Sequence, residues 1–208
     1  MPEQTLQDNL SRVVKPVQYF QLPDAKLFYW QDFLSQAATE SLMVSLPSLA
    51  WQQPEILMFG RKIVIPRRQL WMGDPHCSYR YSGVTFQPQP WTEQLQQLTA
   101  QINATLQQRF NCVLLNWYLD GSQAMGWHSD DEPELGPSPQ IASLSLGQTR
   151  RFDLRHGLHQ TQLQLELTNG SLLLMAGQCQ QHWQHRLPKQ AKANGERFNL
   201  TFRYIAQR

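Results

Sequence analysis

Residues 197–205 alternate without a break. Phe198, Leu200, Phe202 and Tyr204 fall on one side, and Arg197, Asn199, Thr201 and Arg203 on the other. A period of two predicts a strand with one buried face. Leu163, Leu165 and Leu167 alternate with Gln164 and Glu166 in the same way. Continuous apolar runs of strand length cover 111–118 and 141–147, and another, bounded by glycines, covers 170–177; 151–156 reads as a further strand. The first half of the chain carries a different period. Thr92 can cap a helix in which Leu95, Leu98, Ile102, Leu106 and Phe110 share a face. An earlier helix is predicted from a cap at Asp32 through Phe33, Leu34, Ala37, Leu42 and Met43, stopping before Pro47. Residues 56–65 read as a hairpin turning at Gly60-Arg61-Lys62 and ended by Pro66. Pro16 and Pro23 disfavour helix before residue 24.

Two helices followed by at least six short strands predict an α+β, mainly β chain: an antiparallel sandwich or jelly roll covered on one face by helices. The expected organisation is an irregular arm over 1–24, helices and hairpins over 25–110 and a β core over 111–208, in one compact domain. At 208 residues, with 41% hydrophobic and 11% aromatic positions, the chain can bury that core unaided. Three cysteines without CxxC spacing exclude a disulfide scaffold and a zinc ribbon, and fit a reducing cytoplasm. No apolar stretch is long enough to cross a bilayer, and Glu3 and Asp8 interrupt any leader-like segment. A cytoplasmic monomer without membrane contact is expected. The net charge of +2 accommodates a nucleic-acid partner only if the positive charge is clustered.

The chemistry gathers in the strand-rich half. His128 and Asp130 are two residues apart, so an extended chain projects both to one side. A distal histidine, His185 or its neighbour His182, would complete a three-ligand set. Two histidines and a carboxylate with open positions suit Fe(II), although zinc accepts the same ligands. Arg197 and Arg203 share one face of the last strand with Asn199 and Thr201 between them. If that face is solvated, they are ordinary surface charges. If it points inward, two buried guanidiniums call for an anion, and a dicarboxylate satisfies both.

The segments NWYLDGSQAMGWHSDDEPEL, IASLSLG, GSLLLMAG, HWQHRLP and RFNLTFR together resemble the AlkB family of Fe(II)- and 2-oxoglutarate-dependent dioxygenases, over roughly residues 55–205. The resemblance implies a double-stranded β-helix with an N-terminal nucleotide-recognition lid. It implies His128, Asp130 and His185 as iron ligands, and Asn116, Tyr118, Arg197, Asn199, Thr201 and Arg203 around 2-oxoglutarate, with O2 as the other cosubstrate. The lid segment is most like the branch that repairs alkylated duplex DNA. There Phe59 with Gly60 and Arg61 would form a finger that fills the gap left by a flipped base, as apolar wedges do. Tyr79, Arg80 and Tyr81 would contact the flipped nucleotide, and Asp131 and Glu132 a base made cationic by methylation. Arg61, Lys62, Arg67, Arg68 and Arg80 would form a phosphate-contacting surface. One departure stands out: Arg150-Arg151-Phe152 occupies a place where that branch often has Arg-Asp-Phe. The implied activity is oxidative removal of methyl groups from 1-methyladenine and 3-methylcytosine in DNA, releasing formaldehyde and succinate. An RNA demethylase or another 2-oxoglutarate oxygenase would keep the iron and cosubstrate residues without needing Phe59. A nucleic-acid-binding module without catalysis would need neither set.

Overall fold

The computed structural model describes the backbone of residues 18–58, 61–81 and 84–207, with side chains described except at 56–58, 61–63, 79–81 and 84–86. Among these residues all strand pairing is antiparallel apart from one isolated bridge. A seven-stranded sheet runs in the order β1 (Gln18–Leu22), β2 (Ala25–Trp30), β13 (Ser171–Gly177), β10 (Ile141–Gly147), β15 (Arg197–Arg203), β8 (Cys112–Tyr118) and β5 (Arg68–Gly73). A four-stranded sheet faces it in the order β12 (Gln162–Leu167), β11 (Arg150–His156), β14 (Trp183–Leu187) and β9 (Met125–His128). Two small hairpins, β3 (Glu55–Met58) with β4 (Arg61–Val64) and β6 (Tyr79–Tyr81) with β7 (Val84–Phe86), stand apart from both.

The larger sheet is buried on both faces, which explains its continuous apolar runs. One face, with Leu115, Leu144, Leu172, Phe198, Leu200 and Phe202, packs under α1 (Gln36–Ser45) and α2 (Glu93–Leu106). The other face, with Leu27, Ile141, Leu173 and Met175, meets Phe152, Leu154, Leu165 and Trp183 of the smaller sheet. The alternation of β15 therefore divides its residues between two environments. Tyr204 does not join the apolar side: the strand ends at Arg203 and Tyr204 is exposed, while Ile205 is buried.

The α2 cap is as expected, with Thr92 Oγ1 accepting from Leu95 N at 3.3 Å. The cap of α1 is Ser35, not Asp32, and its hydroxyl accepts from Ala38 N. Leu34 N already donates to Gly170 O at 3.1 Å, which ties this segment to the β12–β13 turn and delays the helix. Three further differences concern the first half. β1 replaces part of the expected irregular arm, since Gln18–Leu22 pairs with Ala25–Trp30 around Pro23 and Asp24. Both β2 and β5 enter the core sheet, so the β core does not begin at residue 111. Neither strand alternates strongly enough in sequence to be read in isolation.

Candidate metal centre

A β-bulge places the first ligand. His128 pairs with His185, and Met125 with Leu187, so Gly126 and Trp127 together oppose the single residue Arg186. Without the extra residue, Met125 and His128 would project to opposite faces. With it, both line the cavity between the sheets and Trp127 turns outward. His185 lies inside β14. Asp130 lies past the end of β9 and is held by its surroundings. Its N–H donates to the buried Gln180 Oε1 at 3.0 Å, and Arg203 Nη2 donates to its Oδ1 at 2.5 Å. Ser129 Oγ donates to Trp183 O, tying the same loop to β14.

Donor atoms of His128, Asp130 and His185 lie within 4.8 Å of one another. Their protonation suits a cation. Gly126 O sits 2.8 Å from His128 Nδ1, so Nδ1 is the donor and Nε2 is the nitrogen left for a metal. Burial pushes the His185 imidazole down to about 3, leaving it neutral, and its Nδ1 is buried with no hydrogen-bond partner. Burial alone would raise the Asp130 carboxyl; the Arg203 guanidinium against it outweighs burial and holds the group below its ordinary value. Two imidazoles, that of His185 held neutral by burial, and a carboxylate held ionised are a donor set for a divalent metal.

His182 is not part of this set. It stacks on His156 near a second cluster of Asp24, His156 and His159. There His156 Nδ1 accepts from Leu158 N and His159 N, each at 3.0 Å, so Nε2 keeps its proton for Asp24 and cannot ligate a metal.

The inward face of β15 settles the question of the arginines. Arg197 is 2% and Arg203 3% exposed, and both line the cavity that holds the three candidate ligands. Arg197 Nη2 donates to Ser145 Oγ at 2.9 Å, its guanidinium lies over the Tyr118 ring, and its Nε is buried with no hydrogen-bond partner. Burial lowers this group to about 10, still charged at neutral pH. A buried cation with no paired carboxylate among the described residues is an anion site. Arg203 stands at the metal end, against Asp130, and Arg197 at the other. Thr201 and Asn199 line the wall between them, where the Asn199 amide is committed to Ser143, Leu144 and Thr201. The fully buried Arg150 donates to Asp120 O, Gln123 O, Pro188 O and Gln190 Oε1, joining two loops.

Asn116 lines the same cavity, but its Oδ1 accepts from Arg67 Nε at 2.9 Å. With the Gln69 amide turned so that its oxygen faces Arg67, Nη2 donates to that oxygen at 2.9 Å. Arg67 is therefore a buried part of the cavity wall, not of a phosphate-contacting surface, and Arg68 stacks on Trp117. Sequence reasoning grouped Arg67 with the lid surface because charge alone does not report burial. Glu132 lines the cavity beside Asp130, whereas Asp131 is exposed and outside it. Phe59 and Gly60 lie outside the described residues. So do the side chains of Arg61, Tyr79, Arg80 and Tyr81, whose backbones belong to β4 and β6. Arg151, at the departure from the family pattern, meets an acid two residues later, with Nε 3.0 Å from Asp153 Oδ1.

A family model described as "2OG-Fe(II) oxygenase superfamily" matches residues 26–203. The human protein named DNA oxidative demethylase ALKBH2 is 39% identical over 158 residues, covering 72% of this chain and 60% of that protein. The mouse alpha-ketoglutarate-dependent dioxygenase alkB homolog 3 is 39% identical over 150 residues, covering 67% of this chain and 52% of that protein. The chain thus spans about half to two thirds of the length of these curated relatives. A solved structure of OsALKBH1 superposes with a TM-score of 0.64 at 16% identity, covering 90% of this chain and 99% of that one, and shares the fold. With His128, Asp130 and His185 converging beside two buried arginines of the last strand, the chain belongs to the 2OG-Fe(II) oxygenase superfamily and, through these relatives, to its AlkB family.

Proposed function

We propose that this protein is an Fe(II)- and 2-oxoglutarate-dependent dioxygenase that removes alkyl groups from N-alkylated bases in DNA, acting as a monomer. The observation that carries the reading is the convergence of three ligand side chains and two buried arginines on one cavity. His128, Asp130 and His185 would hold Fe(II). Arg203 would meet the end of 2-oxoglutarate nearest the metal, and Arg197 with Ser145 and Tyr118 its distal carboxylate. Bound iron with 2-oxoglutarate and O2 supplies oxidation of the N-methyl C–H bond, with succinate and CO2 as coproducts, after which the hydroxymethyl group leaves as formaldehyde.

The chain's own residues prepare that chemistry. Arg203 keeps Asp130 ionised, and Gln180 and Ser129 fix its backbone before a metal arrives. Glu132 brings a carboxylate to the cavity wall, where it favours a base carrying positive charge. Phe59 would occupy the place of a flipped base in duplex DNA, and Tyr79 and Tyr81 would stack on the base itself.

The test is anaerobic reconstitution with Fe(II), then addition of 2-oxoglutarate, O2 and 1-methyladenine in matched duplex DNA, single-stranded DNA and RNA, with formaldehyde and restored base followed by mass spectrometry. Repair of DNA, with duplex favoured, is the expected result, and His128→Ala should abolish it with the circular dichroism unchanged. Succinate formed without restored base on any of the three substrates would refute the dealkylase reading.

A further inference from the structure

The bulge that aims His128 inward also places Trp127 on the outer face of the smaller sheet, one residue from a metal ligand. Two guanidiniums meet its ring there, Arg155 Cζ at 4.3 Å and Arg186 Cζ at 4.5 Å from the centroid. Arg186 adjoins His185 in β14 and so lies on the opposite side of the sheet wall from that ligand. Arg155 is held without a carboxylate among the described residues. Gln184 Oε1 accepts from its Nε at 3.1 Å and its Nη2 at 2.7 Å, which fixes the guanidinium with a neutral partner. Arg151 and Arg186 share a single carboxylate, Asp153, at 3.0 and 2.8 Å. Glu166 lies across from Arg151 on β12, at the end of the face away from Trp127. The Trp127 end therefore carries uncompensated positive charge around an aromatic ring.

An aromatic platform set among arginines is how proteins hold a nucleic-acid single strand: a base stacks on the ring and phosphates meet the cations. β9 is the edge strand of its sheet, so a strand leaving the cavity beside His128 passes this edge first. We propose that Trp127 and Arg155, with Arg186, form a docking surface for the nucleotides flanking the target base on one side, with a base on Trp127 and a phosphate on Arg155. The inference rests on the nucleic-acid reading above and adds a second contact region to it.

The full chain and its Trp127→Leu and Arg155→Gln variants are compared in two measurements. Fluorescence anisotropy with an unmodified single-stranded 13-mer reads the surface independently of any chemistry. Each variant should weaken binding about tenfold, equivalent to about 1.4 kcal/mol. The slope of log affinity against log salt should become shallower by about 0.7 for Arg155→Gln only. Turnover of a methylated 13-mer and a methylated trinucleotide reads the second arm, because the trinucleotide offers far fewer flanking nucleotides to this surface. The 13-mer to trinucleotide ratio of kcat/KM should fall about tenfold in both variants. Unchanged 13-mer affinity, or an unchanged ratio, overturns the proposal. A parent chain that binds the 13-mer in the expected way but repairs neither substrate overturns the dealkylase reading and leaves the docking surface standing.

Discussion

Gln180→Leu tests whether Asp130 is prepared for metal by its backbone as well as by its charge. Gln180 is 1% exposed and Asp130 4% exposed, and one hydrogen bond of 3.0 Å joins the Gln180 oxygen to the Asp130 N–H. Leucine fills nearly the same volume but accepts nothing. The metal-free protein then carries a buried N–H without an acceptor, which costs about 1–3 kcal/mol. The Asp130 backbone also gains freedom that metal binding must remove, and losses of this kind weaken metal affinity about 10–100-fold, or about 1.4–2.7 kcal/mol. Anaerobic titration with Fe(II), or with Co(II) followed by its visible absorption, measures that affinity directly. Thermal denaturation of the metal-free protein measures the first cost separately. A melting point lowered as expected with metal affinity within twofold of the parent would refute the reasoning, because it would make Gln180 a packing residue alone.

Other expectations follow from the same geometry. Burial holds His185 at about 3 against an ordinary 6.5, so the unfolded chain takes up a proton that the folded one refuses. Stability of the metal-free protein should be full above pH 6.5 and fall by about 1.4 kcal/mol per unit as pH drops below it, and His185→Gln should flatten that slope in urea titrations; an equal slope in the variant contradicts the assignment. Arg197→Lys should raise the KM for 2-oxoglutarate about tenfold or more, because an ammonium lacks the planar fork that can grip a carboxylate with two hydrogen bonds while another reaches Ser145; a KM within twofold of the parent removes Arg197 from the cosubstrate site. Phe59→Ala should lower repair of duplex more than of single strands, and equal losses on both count against a wedge at the hairpin tip.

Much of this protein is legible from period alone, because period reports burial. Leu163, Leu165 and Leu167 face inward, as alternation predicts, and α2 begins at the expected Thr92. Where side chains answer to distant partners, period is silent. Asp32 has the chemistry of a cap, yet Leu34 is bound to Gly170, far along the chain, and the helix waits for Ser35. The ligand residues were identifiable by spacing and resemblance, but how His128 comes to face the cavity was not, since a bulge depends on which residue of β14 it opposes. Gln180 escaped notice for a similar reason. It is one glutamine among many, and only its contact with Asp130 sets it apart; a buried amide in a chain whose other glutamines are largely solvated is the signal that a sequence does not display.

The two faces of β15 carry a consequence for how this chain can change. Phe198, Leu200 and Phe202 stand in the helix-covered core, while Arg197, Thr201 and Arg203 stand in the cavity. Deleting one residue from this strand would exchange the two sets, driving guanidiniums under the helices and phenylalanines into the anion site. Fold and chemistry would fail in the same event, with no intermediate that keeps either. The strand is thus open to revision by substitution and closed to revision in length, and a genetic screen of single-codon deletions should find its seven positions uniformly intolerant.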